Sequence, residues 1–381
     1  MIRIVSIRRF FLACLASLLA GAAIIPIETQ AAEAPTPAAS ARPDGQHDFD
    51  FERGRWRAHN RRLLHPLTGS SEWVEFDGTL TARPIWQGRA NMDEFEAGTP
   101  AGHIDGMRIE TYDPKSRQWS LFSADAKSGE MGLPAAVGSF TNGRGEFFDQ
   151  EDVDGQSVLA RFTWLASGNS PRWERAFSID GGRTWETNWV VTLERIKDSG
   201  IATEKSQDGE AASAVPAADR DGYAGFDFEL GSWNIHLKRL THPLSGSNDW
   251  VNFDGTSVTR KVWYGRAQLE EFETDGALGH IEGLTLRTYN PTTHQWRLYW
   301  SNSRDGHMEE PQIGEFRNGV GEFYAQDVWH GKAILVRFLW SQMNTASPHF
   351  EQSFSDDGGK TWEVNWITDQ AHTKDASQAR R

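Results

Sequence analysis

From residue 49 onward the chain reads as short runs in which apolar and polar residues alternate. In "SVLARFTW" Val158, Ala160, Phe162 and Trp164 share one parity, while Ser157, Leu159, Arg161 and Thr163 share the other; "AILVRFLW", Ala333 to Trp340, repeats the pattern. A period of two belongs to strands, and helical periodicity is almost absent. Turn sequences punctuate the runs: "FDGT", "YDP", "TNGRG", "VDG" and "DGG", then again "FDGT", "YNP", "RNGVG", "WHG" and "DGG". Their Gly, Asn and Asp residues supply the positive φ that tight hairpins need. The pattern predicts an antiparallel all-β fold with nine or ten strands in each of two sets, either a closed barrel or a sandwich. Closure is favoured, because strands joined in order through tight turns form a meander, and closing it removes exposed edges.

The two sets are copies of one unit. "FDFERGRWRAHNRRLLHPLTGSSEW" (Phe49 to Trp73) returns as "FDFELGSWNIHLKRLTHPLSGSNDW" (Phe226 to Trp250), 177 positions on, and the correspondence continues to Thr192 and Thr368. A repeat of this length is a domain rather than a solenoid unit. The expected organisation is an export signal over 1–31, a disordered lead over 32–48, barrels over 49–196 and 223–369, a flexible linker over 197–222 and a disordered tail over 370–381. The linker has no aromatic residue and is rich in Ala, Ser, Asp and Gly, so it cannot offset the entropy of folding.

The leader changes the setting. Arg3, Arg8 and Arg9 precede the apolar run Phe10 to Ile27, and small residues in "TQAA" and "AEA" offer a cleavage site. Gly21 and Pro26 interrupt the run and argue against a membrane anchor, and Arg8 to Leu12 fits a loose twin-arginine pattern. A periplasmic or secreted protein is expected. The single cysteine, Cys14, lies in this leader, so the exported chain has neither disulfides nor a thiolate nucleophile. Net charge is −14, and the leader holds three Arg against one Glu, so the rest is more negative still. That charge disfavours nucleic acid and anionic lipid as partners, and no membrane insertion is expected once the signal is removed.

Two motifs carry resemblances. "SIDGGRTW" and "SDDGGKTW" (from Ser178 and Ser355) resemble the Asp-box of sialidase-type propellers over eight residues, and their Asp180 and Asp357 suit a structural turn rather than catalysis. More broadly, "FDFERGRW", the "GS..W..F.GT" block, "YDP...QW", "G.F..G.G.F", "RF.W" and "P.WE..FS.DGG.TWE.NW" together resemble the DUF1579 family of bacterial lipocalin-like proteins. The resemblance implies a calycin-type antiparallel barrel and no particular activity.

Strand parity then nominates side chains. Opposite the aromatic positions stand Glu174, Glu186 and Asn188, repeated as Glu351, Glu363 and Asn365; Arg161 and Arg337; and the pairs Glu94, Glu96 and Glu271, Glu273. If this polar face is solvated, Arg161 with Glu174 is a surface cross-strand pair worth a few tenths of a kcal/mol. If part of it faces the lumen, Arg161, Arg337, Glu94, Glu96, Glu271, Glu273, Asn188 and Asn365 become ligand-binding candidates. His103 and His280, in "GHIDG" and "GHIEG", join Glu174 and Glu351 as candidate acid/base groups. His59, His65 and His103 recur as His236, His242 and His280, and three imidazoles would suit zinc; without a short-spaced ligand pair, no metal and no cofactor is expected. The expected function is binding of a small apolar or aromatic molecule within aromatic-lined barrels, given 17 tryptophans. The alternatives are a cofactor-independent lyase, isomerase or cyclase using a pocket Glu or His, and an interaction protein whose barrels are sealed.

Overall fold

A computed structural model describes residues 44–99, 102–166, 170–196, 220–276 and 279–373. The expected export signal, the expected lead as far as residue 43, residues 197–219 of the expected linker and the expected tail from 374 lie outside the described residues. Arg220–Tyr223, at the end of the expected linker, form a helical turn, and residues 370–372, expected in the tail, continue the last strand.

Ten antiparallel strands form the first barrel: β1 (Gly54–Leu63), β2 (Trp73–Ile85), β3 (Ala90–Thr99), β4 (Gly102–Asp113), β5 (Gln118–Ala124), β6 (Ala136–Thr141), β7 (Arg144–Val153), β8 (Gln156–Leu165), β9 (Arg172–Ser178) and β10 (Glu186–Arg195). The second repeats them as β11 (Gly231–Leu240), β12 (Trp250–Val262), β13 (Ala267–Gly276), β14 (Gly279–Asn290), β15 (Gln295–Asn302), β16 (Gln312–Arg317), β17 (Val320–Trp329), β18 (Lys332–Ser341), β19 (His349–Ser355) and β20 (Glu363–His372). Consecutive strands pair, and β1 with β10 and β11 with β20 close each sheet into a barrel. Hairpin chemistry follows the sequence. Asn142-Gly143 and Asp154-Gly155, like Asn318-Gly319 and His330-Gly331, have positive φ at both positions, the twist that tight antiparallel turns require.

Closure forces one parity of every strand inward. In β8 that parity is Val158, Ala160, Phe162 and Trp164, as the alternation predicted. Phe49, just before a 3-10 turn over Asp50–Glu52, plugs one end of the first barrel with edge-on contacts to Trp119, Phe140 and Trp164. The indole N–H of Trp56 donates to the carbonyl of Glu52 at 2.6 Å and fixes the turn. Phe226 and Trp233 repeat the plug in the second barrel.

The central part of the outer faces of β3, β4 and β5 does not meet water. Ala90, Met92, Met107, Ile109 and Phe122 form one buried apolar cluster with Ala267, Leu269, Leu284, Leu286 and Tyr299 of the second barrel, flanked by Trp86 and Trp263. The contact uses the same patch of both copies, as in a twofold dimer. Thr111 Oγ1 donates to the carbonyl of Gly306 and Thr288 Oγ1 to that of Gly129, each at 2.5 Å. Arg89 pairs with Glu282, and Arg266 with Asp105 at 2.8 Å. Covering both faces removes the alternation: in β14 every residue from Ile281 to Asn290 is buried.

The Asp-box is a hairpin clamp. Asp180 Oδ1 accepts the backbone N–H groups of Arg183 at 3.0 Å and Thr184 at 2.9 Å, and Ser178 Oγ accepts that of Gly182 at 2.8 Å. Asp357 and Ser355 make the same bonds to Lys360, Thr361 and Gly359. These bonds hold the Asp180 carboxyl down at about 2.

Because the barrels share a core, a protease site introduced within residues 197–219 and cleaved is expected to leave the halves together on size exclusion without denaturant. Adding Leu286→Asp, which buries a charge in that cluster, is expected to release them; halves that separate after cleavage alone would contradict the shared core.

Candidate functional site

The first barrel encloses a cavity of about 440 Å³, within the ~300–1,000 Å³ usual for small-molecule sites. Its apolar wall includes Phe95, Phe162, Trp164, Trp173, Trp189 and Val191, all of inward parity. Trp173 meets Trp164 and Trp189 edge to face, with ring centroids 5.9 and 5.3 Å apart, so the three indoles form one continuous surface.

Asn60 accepts from the indole N–H of Trp189 at 3.0 Å, and the charged groups of this wall sit at two places. The first is a buried cluster made by the 3-10 turn, β3 and β4. Arg108 Nε donates to Glu110 Oε1 at 2.5 Å, its Nη2 donates to Asp93, and Glu52 stands 3.6 Å away. The guanidinium also lies 4.8 Å over the Trp164 ring. Burial raises all three carboxyls despite the arginine, Glu52 to about 7, because two acids remain in excess of one cation. Burial works against the charge of Arg108 too, but Asp93, Glu110 and Glu52 outweigh it and keep the guanidinium protonated. The second place is Arg175 on β9, with Asp149 and Glu151 on β7. Arg175 lies 3.6 Å from Glu151 and donates to Asn188 Oδ1 at 3.0 Å. Burial lowers the pKa of Arg175 and raises those of Asp149 and Glu151.

The second barrel keeps the backbone and changes the lining. Trp300 stands where Ser123 borders the first cavity, and its indole covers Gly283: a Cβ there would lie 2.1 Å from the ring. At the equivalent Gly106, the nearest atom to such a Cβ is 3.7 Å away. Arg287 replaces Glu110 and pairs with Glu270 at 2.5 Å, while Glu229, the counterpart of Glu52, accepts from Trp340 at 3.0 Å and Gln370 at 3.3 Å. A separate hollow of about 560 Å³ lies along β17, β18 and the second Asp-box, lined by Asp327, Val328, Ile334 and Asp356. Six of its nine lining residues are exposed, and none of them is a buried charged group.

The residues nominated from sequence fall mostly elsewhere. Arg161 and Arg337 lie on the outer face, over the rings of Trp185 and Trp362 at 4.5 and 4.8 Å. Glu174 faces Thr163 in register and pairs with Arg172 at 2.6 Å, so the anticipated Arg161–Glu174 pair is not formed. Glu351 bonds His349 at 3.1 Å. Glu94 is buried between the barrels, where it accepts from the backbone N–H of Trp263 and from Arg83; Glu271 pairs with Arg260 at 2.5 Å. Glu96 and His103, and Glu273 and His280, lie 3.4 and 3.8 Å apart beside the cross-barrel ion pairs. Asn188 orients the lumenal Arg175, and Asn365 does the same for Gln352 at 2.8 Å. Glu186 and Glu363 clamp turns through the N–H groups of Leu67 and Leu244.

Glu52, Asp93, Arg108, Glu110, Asp149, Glu151 and Arg175 are absent from the residues that strand parity nominates. A signal existed for most of them: Asp93 shares the parity of Phe95, Asp149 and Glu151 that of Phe147, and Arg175 that of Trp173. A charged residue at the aromatic parity of a barrel strand is a lumenal charge.

Among the described residues, three sets bring their donor atoms within metal-ligand reach: Glu96, His103 and Asp105; Glu273, His280 and Glu282; and Glu52, Asp93 and Glu110. The first two give Asp105 and Glu282 to guanidinium groups across the interface. In the third, Arg108 already supplies the cation. His59 bonds Asp77 at 2.7 Å rather than joining His103.

Neither a protein-family model nor a curated protein matches the sequence. Among solved structures, a DUF3598-family protein of unknown function from Nostoc punctiforme is similar at 9% identity and a TM-score of 0.25, over 86% of this chain and 99% of that one. A transferrin binding protein B variant from Haemophilus parasuis is similar at 6% identity and a TM-score of 0.16, over 83% and 75%. Superpositions this loose leave the fold to be read from the chain's own strand pairing.

The buried carboxyls make stability depend on pH. Glu52 and Glu229 ionise near 4.5 when unfolded and near 7 when folded, so folding takes up protons between those values and stability falls as pH rises through that window. Glu52→Gln is expected to gain stability relative to the parent, on the order of 1–3 kcal/mol, between pH 5 and pH 8. Urea unfolding at the two pH values measures this, and a difference independent of pH would contradict it.

Proposed function

We propose that the protein binds a small molecule with an apolar or aromatic body in the lumen of its first barrel. The observation that carries this reading is the cavity of about 440 Å³ walled by three contiguous indoles and bordered by buried charged groups. Packed interiors rarely leave such a volume, and apolar walls with a few oriented polar groups are the usual make-up of ligand sites. The second barrel, with Trp300 over its glycine, serves mainly as the partner that buries the outer face of β3 to β5. The leader fits action in the periplasm or outside the cell. Among the described residues no helix is long and apolar enough to cross a membrane.

One observation favours a second reading, acid/base catalysis without a cofactor: Glu52, raised to about 7 by burial, borders the cavity and is poised to move a proton near neutral pH. On that reading Glu52→Gln abolishes turnover of a bound compound while its affinity survives.

Tryptophan fluorescence titrated with a panel of aromatic and terpenoid compounds tests the binding reading. At least one compound is expected to quench the parent protein. Ser123→Trp, which copies the second barrel, is expected to weaken that binding at least about tenfold with the fold intact. Quenching that persists in Ser123→Trp would place the site elsewhere.

A further inference from the structure

Building on that reading, we propose that the ligand of the first barrel is a cation: a protonated amine whose ammonium group sits at Glu52 and Asp93, with its aromatic or aliphatic body against Trp164, Trp173 and Trp189.

The first support is the charge balance. Glu52, Asp93, Asp149 and Glu151 line the cavity with Arg108 and Arg175, Glu110 is buried against Arg108, and Arg62 lies 4.9 Å over Trp189, so five acids meet three guanidinium groups. An anionic ligand would add to that excess, and a neutral one would leave it uncompensated in a medium where charges interact strongly. The second is the state of Glu52. It is 4% exposed, borders the cavity, and its nearest cation is Arg108 Nη2 at 3.6 Å, beyond hydrogen-bond length; the guanidinium donates to Glu110 and Asp93 instead. A carboxyl so placed either keeps a proton or accepts from a ligand.

The third support is the contrast between the copies. In the second barrel Gln370 donates to Glu229, and Arg287 takes the place of one acid. The first barrel has Leu193 where Gln370 stands, so Glu52 lacks the amide donor of its twin; with Arg108 in place of Thr285 and Glu110 in place of Arg287, its one guanidinium meets three acids, against two in the second barrel. The walls suit the same ligand, because indole faces attract an ammonium group and the alkyl carbons beside it.

Binding then depends on pH. The groups around Glu52 are Asp93 from β3, Arg108 and Glu110 from β4 and Trp164 from β8, with Asp149 and Glu151 from β7, Arg175 from β9 and, over Trp189, Arg62 from β1 on the rest of the lumen. Below about pH 7 a proton occupies Glu52, and an ammonium ion must displace it; above that pH the carboxylate is free to receive it.

Calorimetric titration of the intact chain with three probes sharing an indole tests the proposal: tryptamine as cation, 3-methylindole as its neutral counterpart and indole-3-acetate as anion. Tryptamine is expected to bind about tenfold or more tighter than 3-methylindole at pH 8, with the preference shrinking at pH 6. Indole-3-acetate is expected to bind weakest. Glu52→Gln is expected to erase the preference while keeping affinity for 3-methylindole, and Leu193→Gln, which gives Glu52 the donor its twin has, to reduce it without removing the carboxylate. Equal or tighter binding of the neutral or anionic probe overturns the charge assignment and leaves the lumen as a site. Binding of none of the three overturns the lumenal site itself, and the proposal with it.

Discussion

Closure of each ten-stranded sheet by pairing its first strand with its last is the constraint from which the rest follows. Once β1 bonds β10, every strand must commit one parity to a shared interior, and residues on that parity reach bulk water only through the ends of the barrel. The indoles of Trp164, Trp173 and Trp189 meet in one surface for this reason, although they come from three strands. The same geometry makes the inward carboxyls costly to ionise and lifts Glu52 to about 7.

The outside is constrained as well. The outer faces of β3 to β5 and β13 to β15 bury each other through the same patch, so a substitution there meets the matching region of the other copy. Each buried Leu, Met or Trp in that cluster contributes roughly 1.5–3 kcal/mol to holding the barrels together. With the interface fixed by symmetry, the lumens are where the copies differ in chemistry: Ser123 against Trp300, Glu110 against Arg287, Leu193 against Gln370. One lumen is open and acidic. In the other, an indole lies over the glycine that borders the first cavity.

Much of this was legible in the sequence. Alternation in "SVLARFTW" and the Asn-Gly and Asp-Gly turns foretold strands and hairpins, since local sterics decide both, and the duplication foretold two barrels. The site was less legible. In "NMDEFE" the acids flanking Phe95 looked like the polar face, yet that face packs on the second barrel, and the lumenal acid is Asp93, which shares the parity of Phe95. A strand covered on both sides loses the contrast that parity reasoning needs. Glu52 lies in a 3-10 turn, where a period of two has no meaning, and only the closed barrel brings it to Arg108.

The most direct test of this account is a two-dimensional NMR titration that follows the assigned indole N–H resonances while an aromatic ligand is added. The account predicts that Trp164, Trp173 and Trp189 shift together, while Trp300, Trp340 and Trp366 stay in place. Shifts confined to the outward-facing Trp185 and Trp362, or equal in the two barrels, would contradict an open lumen in the first barrel alone.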